Sequence, residues 1–206
     1  TTPTSAADRA SLTSRAALAS TAMAVILIAL KSWAALQTSS MAMLGSLADS
    51  SLDFIASLVV LLGVKIAATP ADREHRFGHG KVEAIAGLAQ GAFICGSALF
   101  LLFQSIELLF RPEIVSQTLP AMIVSIVTIA ATAVLVTYQR SVKKRTQSLA
   151  IASDELHYRS DLVLNVAVLI ALLLSGAPLR WIYADPLIGI FLALYIAYSV
   201  TAIVRQ

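Results

Sequence analysis

Apolar residues fill this chain in long runs rather than in alternation with polar ones, and short stretches rich in Pro, Gly, Ser and charge separate the runs. A hydrocarbon core of about 30 Å takes about 20 mostly apolar helical residues per crossing. Six stretches reach that length or can be extended to it: residues 12–36, 41–68, 82–110, 119–137, 149–175 and 182–204. The fifth is the exception. Only the thirteen residues from Leu162 to Leu174 are cleanly apolar there, too few to span. The helix must therefore reach back through Ser153, Asp154, Glu155, His157, Arg159 and Asp161, and none of these can face lipid. The connections carry turn chemistry: Gln37 to Ser40, Thr69 to Gly80 with Pro70, Arg111-Pro112, and Ser175 to Pro178. The pattern predicts an all-α membrane protein whose 206 residues form one six-helix transmembrane domain.

Composition sharpens this. Hydrophobic residues make up 58% of the 206 and charged ones 13%, against about 45–50% and about 25% in a soluble domain. One compact interior cannot bury that surplus, so it must face lipid, and the alternative of a soluble helical bundle does not account for spans of this length. The single cysteine, Cys95, excludes a disulfide framework and a thiolate metal cluster. The net charge of +3 acquires meaning only from its placement. Six spans put both termini on one side. If that side is the cytoplasm, eleven Lys and Arg fall in inner segments, among them Lys143, Lys144 and Arg145, while the outer loops hold Arg111 and Arg180. The positive-inside rule then predicts cytoplasmic termini. Trp33, Trp181 and Tyr183 fall at outer span ends, where amphipathic rings prefer to sit.

Ionisable residues inside a membrane are costly and usually functional. Asp49 and Asp53 lie in the second span four residues apart, hence on one helical face. Counted at about 1.5 Å per residue from Met41, they sit roughly 12 and 18 Å deep. His157 and Asp161 repeat that spacing in the fifth span at the same two depths, so the two pairs can meet near the midplane. Three carboxylates and an imidazole suit Zn²⁺, and also Fe²⁺, Cd²⁺, Mn²⁺ or Co²⁺, and without sulfur they disfavour Cu⁺. Three packed negative charges repel in low dielectric, so a divalent ion or protons must accompany them. Simpler readings stay open: Asp49 and Asp53 can pair with Arg159 or Lys31, and His157 can be a hydrogen-bonded core histidine.

A second cluster lies on the inner loop, from Asp72 to Lys81, where Asp72, His75 and His79 offer three ligands within eight residues, and Gly78 and Gly80 allow a tight turn. The alternative is a solvated basic loop whose histidines cap helix ends. Gly87 and Gly91 form a GxxxG ridge continued by Cys95, which suits either a protomer interface or packing within one protomer.

At these residues the chain resembles the cation diffusion facilitator family, in its ferrous-iron and zinc efflux branch. The match is carried by Gly45-Ser46-Leu47-Ala48-Asp49-Ser50-Ser51-Leu52-Asp53, by Arg76-Phe77-Gly78-His79-Gly80-Lys81-Val82-Glu83 and by His157-Tyr158-Arg159-Ser160-Asp161, and it covers essentially the whole chain. The resemblance implies a multi-pass protein of the bacterial inner membrane, usually a homodimer, that exports a divalent metal in exchange for protons. It implies a transport site of Asp49, Asp53, His157 and Asp161 and a further metal site at Asp72, His75 and His79. The metal is then substrate, and no organic cofactor, enzymatic activity or nucleic-acid partner is expected. The family's soluble C-terminal domain, expected after the sixth span, is not found before Gln206.

Opposed directions of spans one to three and four to six, with ligands at matched depths in the second and fifth, suggest a 3+3 inverted repeat. Two other functions use similar chemistry. A metal-dependent intramembrane enzyme needs an open coordination position beside a general base, and no His-Glu-x-x-His helix is present. A metal-selective channel or uniporter is closer, although a site that grips a dehydrated ion suits fast conduction poorly.

Overall fold

The computed structural model describes residues 6–38, 41–71, 73, 76, 78–110, 119–175 and 183–204. Six helices run through them: α1 Ala6–Thr38, α2 Met41–Ala67, α3 Lys81–Phe110, α4 Leu119–Thr146, α5 Leu149–Ser175 and α6 Ala184–Val204. No strand occurs among the described residues.

Four stretches are long and apolar enough to cross a membrane by length and composition: Ala7–Gln37, Leu47–Ala67, Lys81–Phe110 and Ile123–Thr146. The most apolar part of α6, Pro186–Val200, is shorter, and α5 carries Asp154, Glu155, Arg159 and Asp161. Both helices are nevertheless long enough, since 21 residues rise about 31 Å. α4 ends at Thr146 rather than at the apolar limit near Thr137. Its last turn carries Lys143, Lys144 and Arg145, whose charge favours the negative helix end and whose aliphatic stems tolerate the membrane boundary.

The joint to α5 is two residues long. Gln147 takes a left-handed backbone, φ 56°, and its N–H donates to the Lys143 carbonyl at 2.9 Å, closing the end of α4. Ser148 then caps α5, its Oγ accepting the Ile151 N–H at 3.2 Å. So tight a joint leaves α4 and α5 packed side by side.

α1 packs on α2 and α4, α2 on α3, α3 on α6, and α6 on α5, which returns to α4. Inside this ring α5 also meets α1, α2 and α3, so it touches all five other helices. Every residue from Ala150 to Tyr158 is buried. The helix that carries ionisable groups along its first half is thus enclosed by all the others. Large apolar side chains point outward instead, including Ile26 of α1, Phe103 of α3, Val134 of α4 and Phe191 of α6. That inversion is what a lipid solvent selects, because only an interior surrounded by protein offers partners to ionisable groups.

Small residues let the helices close. A Cβ at Gly63 would overlap that of Ala86, which brings α2 against α3. A Cβ at Gly87 would meet the Leu149 carbonyl and Ser153 Oγ of α5 at 3.3 Å, and one at Gly91 would reach Val200 of α6 at 3.8 Å. Cys95 packs beside the cluster of Ile94, Ala98, Leu156, Ile196 and Val200. The small-residue ridge of α3 therefore seats α5 and α6 of its own chain.

Candidate metal centre

α5 presents His157 and Asp161 one turn apart toward α2, and α2 presents Asp53 opposite them. The His157 Nε2 lies 3.1 Å from Asp53 Oδ1 and 3.5 Å from Asp161 Oδ2. One ligand atom from each of the three residues falls within 4.8 Å of the others. His157 is 3% exposed, while Asp53 and Asp161 are 24% and 32% exposed, so the imidazole forms the floor and the carboxylates line the open side. Buried Nε2 receives no properly directed hydrogen bond. A nitrogen flanked by two carboxylate oxygens without satisfying either is placed as a metal ligand would be.

Asp49 does not join the three. It is exposed, one turn nearer Met41 than Asp53, and is not among the residues whose ligand atoms fall within 4.8 Å of one another. Its charge still reaches the site through electrostatic interaction with Asp53 and Lys31. Of the four residues expected at the midplane, three converge and the fourth stands beside them.

The inner-loop cluster is only partly visible, since Asp72 and His75 lie outside the described residues. His79 is half-buried, and its carbonyl accepts the Val82 N–H at 2.9 Å at the start of α3. Trp181 also lies outside the described residues, whereas Trp33 and Tyr183 are exposed.

One turn toward the inner end of α5, a second polar cluster joins four helices. Asp154, Ser20, Gln90 and Gln139 are each 0% exposed. The Ser20 hydroxyl donates to Asp154 Oδ2. Gln139 Nε2 donates to the same oxygen at 2.7 Å and to Ser20 Oγ at 2.8 Å, and Gln90 Nε2 reaches Asp154 Oδ1 at 3.5 Å. Tyr158 donates to the Ser20 carbonyl at 3.0 Å and shares a 2.9 Å hydrogen bond with Ser57. Glu155, 2% exposed, is held by Lys143 at 3.0 Å and Arg140 at 3.6 Å. Sequence reasoning marks Asp154 and Glu155 as unable to face lipid but misses their partners. Sequence alone does not single these partners out, since Ser20 is followed by Thr21, Gln90 shares its run with Gln104, and Gln139 lies beyond the apolar stretch 119–137.

Comparison with known proteins agrees with this architecture. The cation efflux transmembrane domain family matches residues 17–206. The cation-efflux pump FieF of Klebsiella pneumoniae is 46% identical over 188 residues, covering 91% of this chain and 62% of its own length. The proteins of the same name in Salmonella arizonae and Salmonella newport match with the same identity and coverage. The chain thus spans about three fifths of the length of these curated relatives. With a six-helix membrane bundle and a family match over nearly all of its residues, the chain belongs to the cation efflux family and comprises that family's transmembrane domain.

Proposed function

We propose that this domain exports a divalent metal cation from the cytoplasm in exchange for protons, across a bacterial inner membrane and with both termini cytoplasmic. One observation carries the reading: Asp53, His157 and Asp161 place ligand atoms within 4.8 Å of one another on two apposed membrane helices, around a buried imidazole nitrogen that lacks a directed hydrogen bond. The relatives' name, cation-efflux pump, supports the direction of transport. Two carboxylates and an imidazole favour Zn²⁺ among the candidates, and Asp49, one turn away, is the fourth residue toward which a moving ion can pass.

The packing pattern supports alternating access. α1 on α2 is matched by α4 on α5, and α2 on α3 by α5 on α6. The exceptions both involve α5: it packs on α3 and, more lightly, on α1, whereas the equivalent pairs, α2 with α6 and α2 with α4, scarcely touch among the described residues. An inverted repeat adopting one of two unequal arrangements has this signature. Asp72, His75 and His79 serve as an accessory metal site on the inner loop, and a homodimer is the working assembly.

Flux into proteoliposomes tests the mechanism. An imposed pH gradient should drive Zn²⁺ uphill, and Asp161→Ala should abolish both that flux and one bound metal per chain, because it removes a charge and a ligand together. Flux that runs only down the metal gradient would make the protein a uniporter or channel. Near-normal flux in Asp161→Ala would overturn the site.

A further inference from the structure

α1 carries three basic residues, Arg9 and Arg15 in its N-terminal half and Lys31 in its C-terminal half. Lys31 is half-buried, and its Nζ donates to Ser50 Oγ at 2.7 Å. Ser50 is 1% exposed and lies on α2 between Asp49 and Asp53. The ammonium group is thus held on the helix that supplies the carboxylates, and its charge acts on Asp53, Asp161 and Asp49. Arg159 stands two residues from both His157 and Asp161, so its side chain leaves α5 on a different face from theirs.

From this placement we infer that Lys31 is a resident counter-cation of the transport site, and that it sets how tightly a divalent ion is held and how readily it leaves. The inference rests on Asp53, His157 and Asp161 being that site. With Asp53 and Asp161 of the site and the neighbouring Asp49 all ionised and the imidazole neutral, a divalent ion alone leaves one negative charge, that of Asp49, uncompensated beside the site. Lys31 cancels it, so the loaded site is neutral overall. A neutral loaded site crosses a conformational change without dragging net charge through the protein interior, and a fixed positive charge close to the ion weakens binding enough to permit release. A membrane carrier needs both properties, since an ion bound too tightly is not delivered.

Equilibrium Zn²⁺ binding to the detergent-purified chain, paired with flux in proteoliposomes, tests this. Lys31→Gln and Lys31→Met should each tighten binding by about an order of magnitude, the scale expected from deleting one repelling charge at short range, while maximal flux falls. Lys31→Arg should stay within a few-fold of the parent in both assays. Ser50→Ala, which keeps the charge and removes its hydrogen bond, should not tighten binding. Unchanged or weaker binding in the two uncharged variants, with folding intact by size-exclusion chromatography, would overturn the proposal. Their collapse beside a well-folded Lys31→Arg would also overturn it, by assigning the charge to folding. Asp53→Asn separates the two levels of inference. Loss of binding in that variant means a null result at Lys31 sinks only the counter-cation, whereas retained binding sinks the site and the counter-cation with it.

Discussion

In the proposed metal site His157 sets the donor chemistry, because it supplies the one nitrogen among oxygen donors and is itself buried. Nitrogen donors suit zinc better than manganese, whereas a set of carboxylates alone is hard and suits Mn²⁺. His157→Asp should therefore raise the preference for Mn²⁺ over Zn²⁺, measured by competition between the two ions for binding and for flux. An unchanged preference would remove the imidazole from the coordination shell. Two carboxylates near the imidazole were legible in the sequence, since Asp49 and Asp53 share a face of one helix, and His157 and Asp161 a face of another, at matched depth. Which of the two α2 carboxylates meets the imidazole was not legible, because both lie on one face of α2 and only the axial offset and tilt of α2 against α5 choose between them. The packing brings Asp53 to His157 and leaves Asp49 exposed beside it.

Among the helices, α5 carries an unusual burden, with five ionisable residues between Asp154 and Asp161 besides His157 if Tyr158 is counted. It is stable there because each enclosed group finds a partner on a neighbour: Asp154 on α1, α3 and α4, Tyr158 on α1 and α2, Glu155 on α4. Asp154→Ala removes the acceptor shared by Ser20, Gln139 and Gln90; Ser20 keeps the Ala16 carbonyl and Gln139 keeps Ser20 Oγ, but the buried amide donors lose a partner, at a cost of about 1–3 kcal/mol. Unfolding in a detergent–denaturant titration should show a loss of that size. Asp154→Asn, which keeps one acceptor oxygen, should lose less. Equal stability of the parent and the alanine variant would mean that the cluster does not hold the four helices together. The joint at Gln147 and Ser148 complements this knot: by keeping α4 beside α5, it lets Gln139, Arg140 and Lys143 reach residues only one or two turns into the next helix.

At the scale of the whole molecule the arrangement is an ionisable helix inside an apolar shell, and the proposed coupling of metal to protons rests on what the proposed site has to bind. Metal ligation requires a lone pair on the imidazole and ionised carboxylates, so an incoming ion displaces any protons held there, and protons displace the ion. Apparent Zn²⁺ affinity should fall as pH drops through the ordinary imidazole range, about 6 to 7, and Zn²⁺ binding in weakly buffered solution should acidify a pH dye. Binding that is flat across this range and releases no protons would separate metal transport from proton transport.

Hydropathy, charge placement and helical spacing by themselves determined the helix count, the membrane class, the likeness to a metal-efflux family and the identity of the residues with no business in lipid. They do so because a bilayer is a uniform solvent that imposes length and polarity on each span separately. Tertiary packing decided the rest. It made α5 the central helix, turned the GxxxG ridge of α3 toward its own chain, drew Ser20, Gln90 and Gln139 onto Asp154, and brought Lys31 to Ser50 beside the carboxylates. Those outcomes depend on the rotation and closest approach of one helix against another, quantities set by side chains far apart in sequence. An ionisable residue in an apolar run shows that a partner must exist; only the fold shows which one.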